Sequence, residues 1–163
     1  MQCDALDWRR LGSAIQQRYG VPPERVWDIS RVYSFDVAPY NAISKLLGEV
    51  RRWIRRERPE VALLATTVDP NLGFAGASYR AANWQEWMRV RPRPYMYLHR
   101  RYITPRQLRI QFGTSNRQEL QDQLGVPLEV SRAQLLGSSI YCSRLRGKTE
   151  SIPQDHVPTM RRR

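Results

Sequence analysis

Val61-Ala-Leu-Leu-Ala-Thr-Thr-Val68 is a short, continuous apolar run bounded by Pro59 and Pro70. A run of this length between two breakers reads as a central strand buried on both faces. The clearest helical pattern in the chain lies just before it. Ile43, Leu46, Leu47, Val50, Trp53 and Ile54 fall at the i, i+3, i+4, i+7 spacing of one apolar stripe. Pro39 and Asn41 open this helix, with Asn41 as N-cap and Ser44 at N3, and Pro59 ends it. Further back, in Arg25-Val-Trp-Asp-Ile-Ser-Arg-Val-Tyr-Ser-Phe35, the residues Trp27, Ile29, Arg31, Tyr33 and Phe35 alternate with a more polar set, the pattern of a strand. Strand, helix and strand in that order predict a βαβ crossover with parallel strands and the helix across one face.

Outward from this core, Asp4 to Tyr19 reads as a helix stopped by Gly20 and the Pro22-Pro23 loop. After Asp69-Pro70, a short helix through Ser78 to Ala82 leads to another strand holding Trp84 and Trp87. Arg89 to Pro94 reads as a rigid basic turn and Tyr95 to His99 as a strand. Pro105 to Phe112 and Asn116 to Leu124 read as two helices about Gly113, in the outline of a helix-turn-helix. Helix pairs of this kind are more often structural than DNA-reading. Ser139 to Leu145 reads as a last strand, and the polar tail from 147 to 163, ending in three arginines, is expected to be mobile and to act as a phosphate-binding arm. The organisation expected is one α/β domain over 1–146. It comprises a βαβ core at 25–88 and a small, helical, Arg-rich DNA-contacting part at 89–146.

The 163 residues carry 27 Lys plus Arg against 15 Asp plus Glu, a net charge of +12. Lys45 and Lys148 are the only lysines. Residues 1–82 hold twelve basic and nine acidic groups, whereas residues 83–163 hold fifteen and six. A surplus of this size on a small chain points to a polyanion, most often nucleic acid. The candidate phosphate contacts are Arg51 and Arg55 on the outer helix face, with Arg89, Arg91, Arg93, Arg100, Arg101, Arg106 and Arg109 in the second half. For the helix face, the competing reading is an ordinary solvated surface.

The hydrophobic fraction of 41% argues against disorder. No apolar run approaches the roughly 20 residues of a membrane span, and Met1 to Arg9 has no apolar signal core. The expectation is a cytoplasmic protein with no membrane partner. Cys3, Cys142, His99 and His156 match no zinc spacing, so no metal ligands are assigned.

Open α/β sheets place ligands outside the C-terminal strand ends. That crevice would be lined by Asp36, Asn41, Ser44 and Asp69, beside a helix N-terminus whose free N–H groups suit an anion. Neither a Walker loop nor a G-x-G-x-x-G is present. Asp69 is the candidate base and Tyr79 the candidate acid. Each has a plainer role open to it. Asp69 would cap the next turn, Tyr79 would fill a core, Ser44 would cap the helix, and Arg31, on the more apolar strand face, would be a buried ion-pair partner.

Asp28-Ile-Ser-Arg31, Asn41-Ala-Ile-Ser44, Val68-Asp69 and Gly76-Ala-Ser-Tyr-Arg-Ala-Ala-Asn-Trp84, in that order, resemble the Mom family of phage DNA-modification proteins, within the GNAT-like acyltransferase superfamily. The resemblance runs on through Tyr95-Met-Tyr, Pro105-Arg-Gln-Leu and Ser139-Ile-Tyr-Cys. It implies a GNAT-like mixed sheet, abbreviated at its N-terminus because only about 25 residues precede the first matching strand; either the chain is truncated, or it starts late, or a second chain or a homodimer completes the sheet. It also implies an enzyme that adds a carbamoylmethyl- or acyl-type group to the exocyclic amine of adenine in double-stranded DNA and blocks restriction in the host cytoplasm. The family's functional residues would fall on Arg31, Ser44, Asp69 and Tyr79, with Asn41, Ala42 and Asn83 toward the cofactor. An acetyl-CoA-type donor and iron both stay open. The loop Asp36 to Ala42 departs from the superfamily in having no glycine where a pyrophosphate would approach the backbone. Trp84, Trp87 or Tyr40 would stack on a flipped base. Two other readings remain: a nucleic-acid-binding protein that kept the core without catalysis, and a conventional acetyl-CoA-dependent N-acetyltransferase.

Overall fold

In the computed structural model, the run at 61–68 becomes a strand in the middle of a six-stranded mixed sheet. The structure describes all residues except Asp7, Tyr33, Asp36, Arg93, Gln134, 149–151, Gln154, Asp155 and 161–163, and all their side chains except those of Gln2, Asp4 and Gln123. The chain begins with β1 (Gln2–Ala5), α1 (Arg9–Tyr19), β2 (Val26–Arg31), α2 (Ala42–Glu57) and β3 (Leu63–Val68). It continues with α3 (Ala77–Ala81), β4 (Gln85–Val90), β5 (Met96–Leu98), β6 (Arg101–Ile103) and α4 (Pro105–Phe112). β7 (Leu128–Val130), β8 (Ser138–Arg144) and β9 (Thr159–Met160) complete it.

The large sheet has the order β1-β2-β3-β8-β4-β9. β2 and β3 are parallel, Val26 opposite Leu63 and Asp28 opposite Ala65, with α2 as the crossover that the sequence predicts. β8 runs antiparallel to β3 along its whole length, from Leu63 opposite Arg144 to Val68 opposite Ser139, and pairs with β4 on its other side. Because strand side chains alternate, β3 feeds two cores. Leu63 and Ala65 join Leu11, Ile15, Trp87 and Ile140 beneath α1, while Leu64 and Val68 join Ile29, Leu47, Ile54 and Tyr141 beneath α2.

The sheet corrects several sequence readings. Residues 2–5 form a strand, antiparallel to β2, where a helix from Asp4 was expected. Four residues carry too little periodicity to announce themselves, and pairing with β2 decides their conformation. β2 ends at Arg31 rather than Phe35, and that arginine is exposed instead of sitting on a buried face. β4 runs through Val90, so Arg89 belongs to a strand and not to a basic turn. β8 extends the core well past residue 88. In the tail, β9 pairs with β4, and Val157 is buried. The arginines that end the tail, Arg161, Arg162 and Arg163, lie outside the described residues. Among the described residues, no helix is long and apolar enough to cross a membrane.

Contacts divide the chain into two units, Met1–Arg91 with Gly137–Arg163, and Pro92–Leu136. The second unit, expected to be helical, also carries a three-stranded antiparallel sheet in the order β6-β5-β7. His99 and Arg100 form the two-residue β5–β6 turn, both with positive φ (49° and 63°), as a type I′ hairpin demands. α4 opens on a reciprocal capping box between Thr104 and Gln107 and ends at Gly113. The second helix of the expected helix-turn-helix shrinks to a short stretch with a π-helical turn at Glu119–Gln123. Its Leu120 is buried against Ile103, Leu108, Val126 and Leu128. That turn fills a core and is no recognition helix.

Gly76 is the tightest point of the large unit. Its φ is +70°, and a Cβ there would meet the Tyr141 ring at 2.6 Å. Gly73 also has a positive φ (+82°), but nothing lies within 4 Å of its Cβ position. Gly76→Ala should therefore cost about 2–4 kcal/mol, backbone strain plus overpacking, and Gly73→Ala only about 1 kcal/mol. Urea midpoints at unchanged m would check the difference.

Candidate functional site

Parallel β2 and β3 send their following loops out at one sheet edge, and the candidate residues gather around it. Arg31 is the last residue of β2 and is exposed. Asp69 follows β3 directly. Its Oδ1 accepts the Asn71 backbone N–H (2.9 Å) and side-chain amide (2.7 Å), capping the turn Pro70–Leu72. The capping role raised from sequence is thus real, and it leaves Oδ2 without a partner among the described residues. Asp36, also expected at the crevice, lies outside the described residues.

Asn41 precedes α2 in a left-handed conformation (φ 64°) and makes no side-chain cap, contrary to the N-cap expected. The Ala42 N–H is donated to the Pro39 carbonyl, so that donor is not free for a phosphate. Ser44 does not cap the helix either. Its hydroxyl donates to the Ser78 carbonyl at 3.1 Å and ties the first turn of α2 to α3. Asn83, left-handed as well (φ 60°), closes the turn between α3 and β4. Asn41, Ser44, Arg51, Arg55, Ala82 and Asn83 are among the residues around an open groove of about 730 Å³ along α2. Two of the three residues assigned to a cofactor, Asn41 and Asn83, therefore face one groove, whereas Ala42 does not line it.

Tyr79 sits half-buried on α3. Its ring meets Trp84 edge-on (5.5 Å between centroids) and stacks on Tyr141 (5.9 Å), and its hydroxyl lies 3.5 Å from Thr66 Oγ1. The Thr66 proton goes to the Ile29 carbonyl at 2.8 Å. Two of the aromatics proposed to stack on a base are unavailable. Trp84 is 3% exposed and Trp87 1%, both in cores, but Tyr40 is 90% exposed. Phe35 and Phe74, on the loops after β2 and β3, are exposed too and were missed in the sequence.

A polar cluster beside Tyr79 was also missed. Arg80 donates to the Tyr141 hydroxyl (2.8 Å) and to the Ala75 carbonyl (2.6 Å). Glu86, its side chain 11% exposed, accepts from Ser139 (2.7 Å) and from two nitrogens of Arg89. Burial works to raise the Glu86 pKa, but hydrogen bonds from Arg89 and Ser139, with the charges of Arg89 and Arg80, outweigh it and hold the carboxyl below its usual range. Arg89 is held correspondingly more firmly charged by the Glu86 hydrogen bond and charge. Glu86 follows Trp84 and Gln85 in strand register opposite Tyr141, a pairing that only the β8 insertion creates.

The other basic candidates fall into separate sets. Arg89 enters with its charge paired, Arg91 is exposed, and Arg93 lies outside the described residues. In the second unit, Arg100 and Arg101 are exposed at the β5–β6 turn. Arg106 and Arg109, three apart, share one exposed face of α4, with Arg109 donating to Ser115. Among the described residues, no three His, Cys, Asp or Glu side chains come together as a metal ion would need.

A family model described as the Mom protein family matches residues 10–136. The matched span takes in Arg31, Asn41, Ser44, Asp69, Tyr79 and Asn83 and ends just before β8. No curated protein matches the chain.

Since its pKa is depressed in the folded state, Glu86 contributes stability above the unfolded carboxylate pKa. That stability disappears as pH falls through the folded value. Glu86→Gln should lose about 1 kcal/mol at neutral pH, an amount kept small by solvent around Arg89. The gap to the parent protein should close below about pH 4. Thermal melts of both across pH 3–8 would check the crossing.

Proposed function

The chain belongs to the Mom protein family, and from that premise we propose that it transfers an acyl- or carbamoylmethyl-type group to the exocyclic amine of adenine in phage DNA, shielding it from restriction in the host cytoplasm. Membership in this family implies DNA modification; the group transferred, the donor and the residue roles are the finer reading. The observation that carries it is the family match, which spans every residue placed at the reaction edge.

Duplex DNA hides the amine in the base stack, so the target base must be flipped out at a cost of a few kcal/mol. Phe35, Tyr40 and Phe74 stand exposed on loops around the edge where Arg31 and Asp69 sit, and aromatic rings there suit both wedging into the stack and holding a flipped base. The exocyclic amine is a weak nucleophile because its lone pair is shared with the ring. As the new N–C bond forms and the donor's bond to its leaving group breaks, Oδ2 of Asp69 takes the proton the amine sheds. The Tyr79 hydroxyl gives its proton to the group that departs. Arg31, exposed at the end of β2, supplies a positive charge for the oxyanion or phosphate nearby.

A phosphorylated acyl donor fits the α2 groove in charge, since Lys45, Arg51 and Arg55 line it along with the Arg52–Glu49 pair. Asn41 and Asn83 would orient it, and when bound it supplies the electrophilic carbon. The GNAT-like core is part of the same proposal.

One observation favours a second reading, a chain that binds DNA without modifying it: Asp69 already serves as a turn cap. The two readings separate cleanly. DNA from cells expressing the protein should give a deoxyadenosine adduct by nucleoside mass spectrometry and should resist several restriction enzymes. Asp69→Asn keeps an acceptor for Asn71 but removes the base, and Tyr79→Phe keeps the ring stack. Each should cut adduct formation by about 100-fold or more with little change in thermal stability. Unmodified nucleosides from cells holding folded protein would leave the binding reading in place.

A further inference from the structure

We propose that Arg51, Arg55 and Arg146 form a phosphate-binding pocket at the far end of the α2 groove, away from the reaction edge. The pocket holds about 450 Å³ and is lined by these three arginines with Arg144, Leu145 and Gly147; among the described residues no carboxylate lines it. Arg51 and Arg55, four residues apart, lie on one face of α2. Among the described residues neither has an acidic partner. Their neighbours on the same helix differ: Arg52 pairs with Glu49, and Arg56 pairs with Glu57 at 2.5 Å.

Arg146 adds the third charge and the most telling detail. Its terminal nitrogen donates to the Arg55 carbonyl at 2.7 Å, which fixes the side chain against the last turns of α2. A cation near a helix C-terminus is favourable by itself. That contact leaves the Arg146 Nε buried with no partner among the described residues. A buried, unmet donor is costly, and a phosphate oxygen accepting from it would remove the cost. Arg144 is not a fourth member, because its guanidinium donates to the Tyr19 carbonyl (3.1 Å) and lies 5.4 Å over the Trp87 ring.

The pocket shares Arg51 and Arg55 with the larger groove, which continues to Asn41, Ser44 and Asn83. From Asn41 to Arg55 the helix rises about 20 Å. One phosphate cannot touch both ends, so a ligand that reached both would be extended, with its phosphate at the arginines. Phosphate is the shared chemistry of two sources, a strand of DNA and a diffusible phosphorylated molecule. Which source applies rests on the proposed function. The binding itself does not.

The test uses the full chain with two probes, a fluorescein-labelled duplex and inorganic pyrophosphate, and measures dissociation constants over a range of salt. Arg51→Gln, Arg55→Gln and Arg146→Gln should each weaken binding about tenfold and lower the salt slope by about 1. Arg56→Gln removes the same charge from the same helix outside the pocket and should change little. Arg51→Gln and Arg55→Gln keep the test decisive if Arg146→Gln fails to fold. Selective loss on the duplex alone assigns the pocket to a DNA phosphate; selective loss on pyrophosphate, alone or as well, assigns it to the diffusible ligand. An equal effect from Arg56→Gln, or none from the three variants, overturns the pocket. Neither probe requires turnover. A protein that modifies no DNA but shows the selective loss keeps the pocket and loses the catalytic reading.

Discussion

The Tyr141 ring, carried into the sheet by β8, lies so close to Gly76 that no side chain fits between them. The same ring stacks on Tyr79, and its hydroxyl takes a hydrogen bond from Arg80, 61 residues away in sequence. One aromatic residue therefore sets where α3 starts, how Tyr79 is turned and where Arg80 reaches. Had β8 paired at an edge of the sheet, α3 would lack its floor and Glu86 would lack Ser139. The pairing of β8 with both β3 and β4 holds that floor rigidly, since each side of the strand is bonded along most of its length. A five-residue helix has little stability of its own, so α3 owes its place to these contacts.

The positive charge is distributed by the same architecture. Arg52, Arg56 and Arg89 have carboxylate partners, and Arg144 is spent on an aromatic ring and a carbonyl. Arg51, Arg55 and Arg146 are drawn together without one among the described residues. Unpaired arginines in a concave site have more to gain from an incoming phosphate than arginines already neutralised on an open surface. A net charge of +12 is thus less informative than where the fold gathers arginines such as Arg51, Arg55 and Arg146.

Much of the core was legible in sequence. The stripe of Ile43, Leu47, Val50 and Ile54 and the run at 61–68 are local patterns, and the parallel βαβ follows from their order. The candidate site was legible as a set of residues and less so as a set of roles. Ser44 and Asn41 looked like caps because they precede a helix, but the backbone at Asn41 turns left-handed and Ser44 bonds a residue 34 positions away. Trp84 and Trp87 looked available for stacking because nothing local says that both sides of the sheet are covered there. Glu86 drew no attention, since its partners Arg89 and Ser139 are neighbours only through strand pairing.

The sequence by itself determined the α2 crossover, the burial of β3, the apolar content for two cores and the arginine surplus, because each depends on composition or on spacing within about fifteen residues. It also carried the pattern over residues 10–136 that matches the family model. Tertiary structure alone decided that Gln2–Ala5 is a strand, that β8 divides β3 from β4, and that Asp69 caps its turn through one oxygen. It also decided that Arg146 joins Arg51 and Arg55 across 91 residues of chain. The physical reason is the same in each case. Hydrogen-bond partners and close ring contacts between distant segments exist only once the sheet has closed, and no local pattern records them.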